Sequence, residues 1–344
     1  MDANVADVIG LGLESSCDET AAAIVLNGKK ILSNVIFSQI DLHKEYNGVV
    51  PEIASRAHLE VINDIIETAM NEANISFSRL NYVAATNRPG LIGSLLIALQ
   101  SAKAISACMN IPLIAVNHLE AHLYAPFLEG YELFFPYIGL LVSGGNTAIY
   151  EITGINQMEC LCGTIDDAVG EAFDKVSKYI GLGYPGGPAI EKLAATVDNA
   201  ELIFPKILPL PNDKRFSYSG IKTAVVNYVK ENPQADKAKI VYAFQERALE
   251  VLVRKVFAVA RQRSCKRIVV AGGVAANGRL RKMLAEVCTN DEKLIIASPA
   301  LCTDNGAMIA GIGYQYFMKG DIDSLDTDVM SKLPERTDAG NFFQ

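Results

Sequence analysis

The sequence has no positive charge to spare: 31 Lys and Arg stand against 39 Asp and Glu, a net charge of −8 over 344 residues. Autonomous nucleic-acid binders carry a basic surplus because phosphate contacts dominate their affinity, so a role on RNA would have to rely on a local patch or on a partner. Long hydrophobic runs are also missing. No uninterrupted apolar stretch approaches the roughly 18 residues that cross a bilayer, and the segment before the first motif has neither a basic cluster nor a small-residue cleavage site. The expectation is a cytoplasmic protein with no membrane partner. No Cys-x-x-Cys pair occurs; the seven cysteines, at 17, 108, 160, 162, 265, 288 and 302, are scattered and odd in number, which suits a reducing compartment better than a disulfide framework. Cys160 and Cys162 resemble half a metal site, but the alternation around them reads as a strand and no second pair completes it. No Walker A sequence is present, so phosphate handling is not of the P-loop type. Histidines number only four.

What is present is a folded chain, half hydrophobic and one-fifth charged, long enough for two lobes. Apolar run Val8–Leu13, polar loop Glu14–Thr20 and apolar run Ala21–Leu26 lead to Asn27-Gly28, a type I′ hairpin signal, and a third strand from Ile31. The order recurs at Tyr137–Val142, Ser143–Asn146, Thr147–Thr153 and Met158–Cys162. Shifted by 127 residues, Gly12, Leu13, Ser16, Thr20 and Ala21 fall on Gly139, Leu140, Ser143, Thr147 and Ala148, five matches in ten positions, which argues for a duplicated lobe. Each hairpin is followed by alternating helices and strands: helices over 51–74 and 91–109 with strands at 82–86 and 113–116, then helices near 167–181, 188–196, 219–231, 236–263 and 277–288 with strands at 267–271 and 293–297, and a last helix after Asp304. Such alternation implies largely parallel sheets covered on both faces. The fold expected is α/β, of the actin-like ATPase and sugar-kinase (ASKHA) type, with two duplicated lobes around a central cleft: 1–135, completed by a C-terminal helix over 304–325, and 136–303, with 326–344 as a tail.

His118-Leu-Glu-Ala-His122 holds half the histidines. It follows a strand and opens a predicted helix, where positions i and i+4 share a face, and neutral imidazoles so spaced are ligands for Zn or Fe. The pattern differs from the His-Glu-x-x-His of zinc proteases, in which the Glu adjoins the first His and acts as base; Glu120 should point elsewhere. Two surface histidines would give the same pattern. Asp304, in Thr303-Asp-Asn-Gly306 between a strand and a helix, reads alone as an N-cap. Beside a His pair in need of a carboxylate it becomes the best third ligand, leaving open positions as a reactive centre requires.

Glycine-rich turns form a second group. Leu141-Val-Ser-Gly-Gly-Asn-Thr147 puts glycines at a hairpin tip, either a plain turn or a set of N–H groups facing phosphate. Its first-lobe counterpart carries Asp18 and Glu19 and would repel phosphate unless a cation intervened. Ala271–Asn277 and Tyr184–Pro188 each precede a helix, where a nucleotide can approach. Asp166, Asp167, Glu171 and Asp174 are predicted as an acidic stripe on one helix, and Glu191 lies one turn into the next. Such carboxylates are either solvated surface or partners for ribose hydroxyls.

Glu14-Ser-Ser-Cys-Asp-Glu-Thr20, Val50-Pro-Glu-Ile-Ala-Ser-Arg56, His118-x-Glu-x-His122, Leu141-Val-Ser-Gly-Gly145, Asp166-Asp-Ala-x-Gly-Glu-Ala-Phe-Asp-Lys175, Tyr184-Pro-Gly-Gly187, Phe216-Ser-x-Ser-Gly220, Ala271-Gly-Gly-Val-x-Ala-Asn277 and Thr303-Asp-Asn-Gly-Ala307 closely resemble the bacterial TsaD family, in order and across nearly the whole chain. The resemblance implies a tRNA N6-adenosine threonylcarbamoyltransferase, which moves threonylcarbamoyl from threonylcarbamoyl-adenylate to N6 of adenosine 37 in tRNAs reading codons that begin with A, releasing AMP. It implies His118, His122 and Asp304 as ligands of one divalent metal ion, Fe2+ favoured over Zn2+, and Leu141, Val142, Ser143, Gly144, Gly145, Asp174, Gly187, Glu191 and Asn277 as substrate-binding positions. It also implies two protein partners, a degenerate paralogue of the same fold (TsaB-like) and a small P-loop ATPase (TsaE-like). It singles out no general base. Many members read Ala-Gly-Pro-Gly where Asn87-Arg-Pro-Gly90 stands here, and His where Asn146 stands. The alternatives are a small-molecule kinase of the same fold, which leaves the His pair unexplained; a metalloprotease, opposed by the misplaced Glu; and a regulatory subunit without chemistry, opposed by the intact ligand set.

Overall fold

The computed structural model describes residues 7–46, 48–208 and 213–333; the outer ends of the expected first lobe and tail, 1–6 and 334–344, lie outside the described residues. Two sheets organise the chain. The first contains β1 (Ile9–Glu14), β2 (Glu19–Leu26), β3 (Lys30–Ser38), β4 (Tyr82–Arg88) and β5 (Leu113–Asn117), in the order β3-β2-β1-β4-β5. The second contains β6 (Tyr137–Val142), β7 (Thr147–Gly154), β8 (Gln157–Thr164), β9 (Arg215–Phe216), β10 (Arg267–Ala271) and β11 (Lys293–Ile296), in the order β11-β10-β6-β7-β8-β9. Apart from β9, a short addition at the edge of β8, the two are copies. In each, two antiparallel pairings build a three-stranded meander and two parallel pairings extend it from the first strand. The offset of 127 holds in the backbone register: Gly12 pairs with Ala23, and Gly139 with Tyr150.

The helices are α1 (Ile40–Lys44), α2 (Pro51–Glu72), α3 (Ile92–Met109), α4 (His118–Tyr124), α5 (Val169–Ile180), α6 (Gly186–Ala194), α7 (Ser219–Glu231), α8 (Lys237–Gln262), α9 (Gly278–Val287), α10 (Pro299–Cys302) and α11 (Gly306–Lys319). α2 starts at Pro51, whose missing N–H costs nothing in a first turn. Alternation along β1 decides what each face meets. Ile9, Leu11 and Leu13 join Ile62, Ile66 and Leu99 in the core beneath α2 and α3, while on the other face Gly10 meets the Tyr82 ring and Gly12 meets α11. α3 is long and apolar enough by composition to pass for a membrane span, but Leu95, Ala98, Leu99 and Ala102 are buried in the protein. The expected acidic stripe does not form: α5 begins only at Val169, leaving Asp166 and Asp167 in the preceding loop. α6 begins at Gly186, within the glycine pair rather than after it.

α11 returns from the end of the chain to the first sheet, and glycine sets how close it comes. A Cβ on Gly12 would stand 2.3 Å from the Gly306 carbonyl oxygen and 2.4 Å from the Ala310 nitrogen; one on Gly306 would stand 2.6 Å from the Ala23 nitrogen. The Tyr82 hydroxyl donates to the Ala310 carbonyl at 2.6 Å. Helix and strand therefore meet backbone to backbone. Gly12→Ala is expected to lower stability by at least about 2 kcal/mol, because the clash is with main chain that cannot yield. Gly220→Ala, in α7 with nothing within 4 Å of the new methyl, should shift stability by no more than about 1 kcal/mol, towards greater stability; urea denaturation of the two variants makes the comparison.

Candidate active site

α4 touches strands of both sheets, and all seven of its residues are buried. The Asn117 side chain caps it by accepting from the Leu119 N–H at 3.0 Å, which starts the helix at His118. His118 and His122 then lie one turn apart, ring centroids 4.5 Å from each other and nearly perpendicular. Asp304 comes from the other end of the chain. Its Oδ1 is 2.9 Å from His122 Nε2 and 3.6 Å from His118 Nε2, and the ligand atoms of the three residues all lie within 4.8 Å of one another. The N-cap of α11 is not Asp304 but Asn305, which accepts from the Met308 N–H at 2.9 Å. The carboxylate of Asp304 is thereby left for the imidazoles.

Glu14, fully buried at the end of β1, approaches His118 Nδ1 at 3.1 Å, a carboxylate–imidazole pairing that turns Nε2 towards the cluster. Burial opposes a charged ring at His118, yet Glu14 and Asp304 overcome it and lift its pKa to about 9. Burial likewise raises the Asp304 carboxyl, and the two imidazoles outweigh it and hold it at about 2. A field that retains a proton so firmly offers the same attraction to a metal cation. Two carboxylates and two neutral imidazoles balance the charge of one divalent ion, so the donor set fits such an ion. Glu120 plays no part: it accepts from the Asn156 N–H at 2.7 Å and from the Tyr316 hydroxyl. The other two histidines are structural. His58 bonds Thr20 and the Cys17 carbonyl, and His43 bonds Gln39, bracing the acidic turn at 17–20 from behind.

The cluster opens into a cleft of about 620 Å³ lined by the acidic turn (Asp18, Glu19), the Ser143–Asn146 turn, Gly273 and Asp304. A smaller cavity of about 200 Å³ adjoins it, lined by Phe173, Asp174, Gly187, Glu191, Val274, Ala276 and Asn277; Gly144 and Gly273 line both. Gly144, Gly145, Gly187 and Gly273 have nothing within 4 Å of a Cβ position, so a ligand can reach their backbone. Gly272, at φ +94°, has no such room: a Cβ would stand 2.4 Å from the Val142 carbonyl oxygen. Leu141 and Val142 are fully buried in β6 and present no side chain to either space. Asp174 accepts from the Gly186 N–H at 2.6 Å, Glu191 from the Gly278 N–H at 2.7 Å, and Asn277 caps α9 and bonds Gln245. The remaining acids of the supposed stripe are occupied elsewhere, Asp166 by Ser217, Tyr218 and Ser219, Asp167 by Lys175 and Lys222, and Glu171 by Lys175.

Burial raises the Asp174 carboxyl to about 6, against the Gly186 hydrogen bond that lowers it, with Asp18 and Glu171 adding to the rise. A carboxyl raised on folding favours the folded state at low pH and loses that contribution as pH rises through its folded value. Asp174→Asn should therefore be more stable than the parent above about pH 7, by on the order of 1–2 kcal/mol after solvent screening. The difference should close towards pH 4 in thermal melts across that range.

Residues 30–311 match the family described as TsaD, tRNA N6-adenosine threonylcarbamoyltransferase. Proteins of that name from Treponema denticola and Geotalea daltonii are 49% identical over 317 residues (90% of this chain, 93% of the relative) and 46% identical over 329 residues (94% and 96%). Among solved structures, the HypF of T. kodakarensis aligns with a TM-score of 0.63 at 13% identity, over 91% of this chain and 48% of that one. Component A of the (R)-2-hydroxyglutaryl-CoA dehydratase of Acidaminococcus fermentans aligns at 0.53 and 14%, over 90% and 98%. These two likenesses show the fold alone, the actin-like ATPase and sugar-kinase architecture. The chain belongs to the tRNA N6-adenosine threonylcarbamoyltransferase (TsaD) family and is an acyltransferase that acts on tRNA.

Proposed function

We propose that the donor is threonylcarbamoyl-adenylate, with its adenosine in the small cavity and its reactive end in the cleft beside His118, His122 and Asp304, and that the acceptor is N6 of adenosine 37 in tRNAs reading codons that begin with A. The continuity of the two spaces at Gly144 and Gly273 carries this reading. Phe173, Val274 and Ala276 offer the base an apolar bed, Asp174 and Glu191 lie where ribose hydroxyls can donate to them, and the open glycines of the Ser143–Gly145 turn let a phosphate approach main-chain N–H groups. Leu141 and Val142 contribute through their backbone, and Gly187 and Asn277 close the cavity wall. In the transfer, the amine forms a bond to the carbamoyl carbon, the bond from that carbon to the phosphate oxygen breaks, N6 loses a proton and AMP departs. N6 is a poor nucleophile, so holding the two reactants in register supplies much of the acceleration.

His118, His122 and Asp304 would hold one divalent ion, Fe2+ ahead of Zn2+ because two imidazoles and one carboxylate with open positions form a ferrous donor set. When bound, the ion supplies Lewis-acid polarisation and a fixed point for donor oxygens. Glu14 orients His118, and His58 and Gln39 brace the acidic turn. The lobes, 1–135 with 304–325 and 136–303, act as the two walls of the cleft. His122→Ala is expected to reduce bound metal from one ion per chain and to lower transfer by at least about 100-fold, with an unchanged circular dichroism spectrum. Retention of a full complement of metal in His122→Ala, by elemental analysis, would contradict the ligand assignment.

The chain is poorly equipped to hold tRNA by itself. Arg215, Lys222, Arg261, Arg263 and Lys266, five of the basic groups of the second lobe, are paired with Asp213, Asp167, Glu292, Glu151 and Asp291, and Arg267 lies over Phe134. With a net charge of −8, tRNA affinity must come largely from partners, here a TsaB-like paralogue and a TsaE-like P-loop ATPase in the cytoplasm. The outer side of α2 and α3, where Leu59 and Ile92 are exposed and a groove is lined by Ile66, Met70, Phe77 and Ile105, is the face we assign to the paralogue. Nucleoside mass analysis of tRNA incubated with donor and the chain alone should show little modified adenosine; adding both partners should give multiple turnovers. Sustained turnover by the lone chain would overturn the need for partners.

A further inference from the structure

The cleft and its adjoining cavity are acid-rich: Asp18, Glu19 and Asp304 line the first, Asp174 and Glu191 the second. The donor placed there carries a phosphate and a carboxylate, both anions. Among the described residues that line either space, Lys332 is the one Lys or Arg.

Lys332 reaches the cleft on a strap that follows α11. The Asp323 N–H donates to the Leu113 carbonyl at 2.9 Å, and its carboxylate accepts from the Ala115 N–H at 2.7 Å, fastening the strap along the free edge of β5. At the end of β4, Asn87 grips it twice: its side-chain amide donates to the Asp328 carbonyl at 3.1 Å, and its own carbonyl accepts from the Met330 N–H at 2.9 Å. Val329 packs into the core beneath α2 and α3, and Leu333 against the larger core. Ser331 and Lys332 lie between these two anchors and face the cleft. The backbone is thus fixed on both sides of a flexible cation, an arrangement that supplies reach without loss of position.

We propose that Lys332 is a donor-binding residue whose ammonium pairs with an oxyanion of the adenylate donor, its phosphate or its carboxylate, and so lets a doubly anionic ligand enter an acidic cleft. The proposal rests on the donor placement given above. The pairing is a charge-assisted hydrogen bond at a solvent-facing site, so its loss should be felt in affinity and not in folding.

Calorimetric titration of the full, metal-loaded chain with three ligands provides the test: adenosine, AMP and a non-hydrolysable threonylcarbamoyl-adenylate analogue. Lys332→Ala should weaken the analogue by about 3- to 10-fold, leave adenosine unchanged and show a smaller dependence on salt, while Lys332→Arg stays within about 2-fold of the parent. An equal loss for AMP identifies the phosphate as the partner; AMP binding left intact identifies the carboxylate. Unchanged analogue binding in Lys332→Ala would overturn the proposal. So would an equal weakening of adenosine, which would mean that the strap had moved and not that a charge had been lost. Failure of the unmutated chain to bind either AMP or the analogue is a distinct result, which would remove the donor placement itself and the proposal with it.

Discussion

At Gly12 and Gly306 the backbones of β1 and α11 touch with no side chain between them, and the rest of the site is built out from that contact. It fixes the height of the first turn of α11 above the first sheet, and therefore where Asp304 lies, two residues earlier in the chain. Asn305 takes over the helix cap. α4 is wedged against both sheets with His118 and His122 on one face. Glu14, at the end of the same strand that carries Gly12, closes the arrangement behind His118. Residues 14, 118, 122 and 304 meet because one helix lies unusually close to one strand.

The electrostatics of the cleft follow from this convergence. A buried carboxylate at 14 and a half-buried one at 304 lie beside two imidazoles, and two more at 18 and 19 line the opening. Burial, with help from Asp304 and Asp18, pushes the Glu19 carboxyl well above its ordinary range. A protein arranged for stability alone would not collect these charges, since buried carboxylates without cations oppose folding. Their concentration at one opening, with Asp174 raised in the next cavity, marks a place built for cationic and hydroxyl-bearing ligands.

Much of this was legible in the sequence, for physical reasons. Duplication showed in five shared residues because four of them, Gly12, Leu13, Thr20 and Ala21, and their counterparts Gly139, Leu140, Thr147 and Ala148 are buried strand positions that accept few residue types, and the same offset reappears in strand register. The His pair was legible because helical spacing puts i and i+4 on one face. Asp304 was ambiguous because an N-cap and a ligand are written with the same residue; only the geometry of Asn305 separates them. The Glu14–His118 pairing was hidden because it joins residues 104 positions apart with no periodic signal, although Glu14 belongs to a motif that stood out. The acidic stripe failed because pattern alone does not show where a helix starts, and α5 begins after Asp166 and Asp167. Residues 326–333, expected as the start of a tail, read that way because a strap held by main-chain bonds leaves no hydrophobic rhythm. Asn87, which looked like an unexplained departure, is one of its fastenings.

The central claim is that two segments far apart in sequence, one carrying His118 and His122 and the other Asp304, hold one metal ion between the lobes. X-ray diffraction from crystals of the metal-loaded chain, collected on both sides of the iron and zinc absorption edges, addresses it without reference to activity. The account predicts a single anomalous peak about 2.0–2.3 Å from His118 Nε2, His122 Nε2 and an Asp304 carboxylate oxygen. A peak that lacks Asp304 or either imidazole as a neighbour, or crystals of the loaded protein with no peak in the cleft, would contradict it.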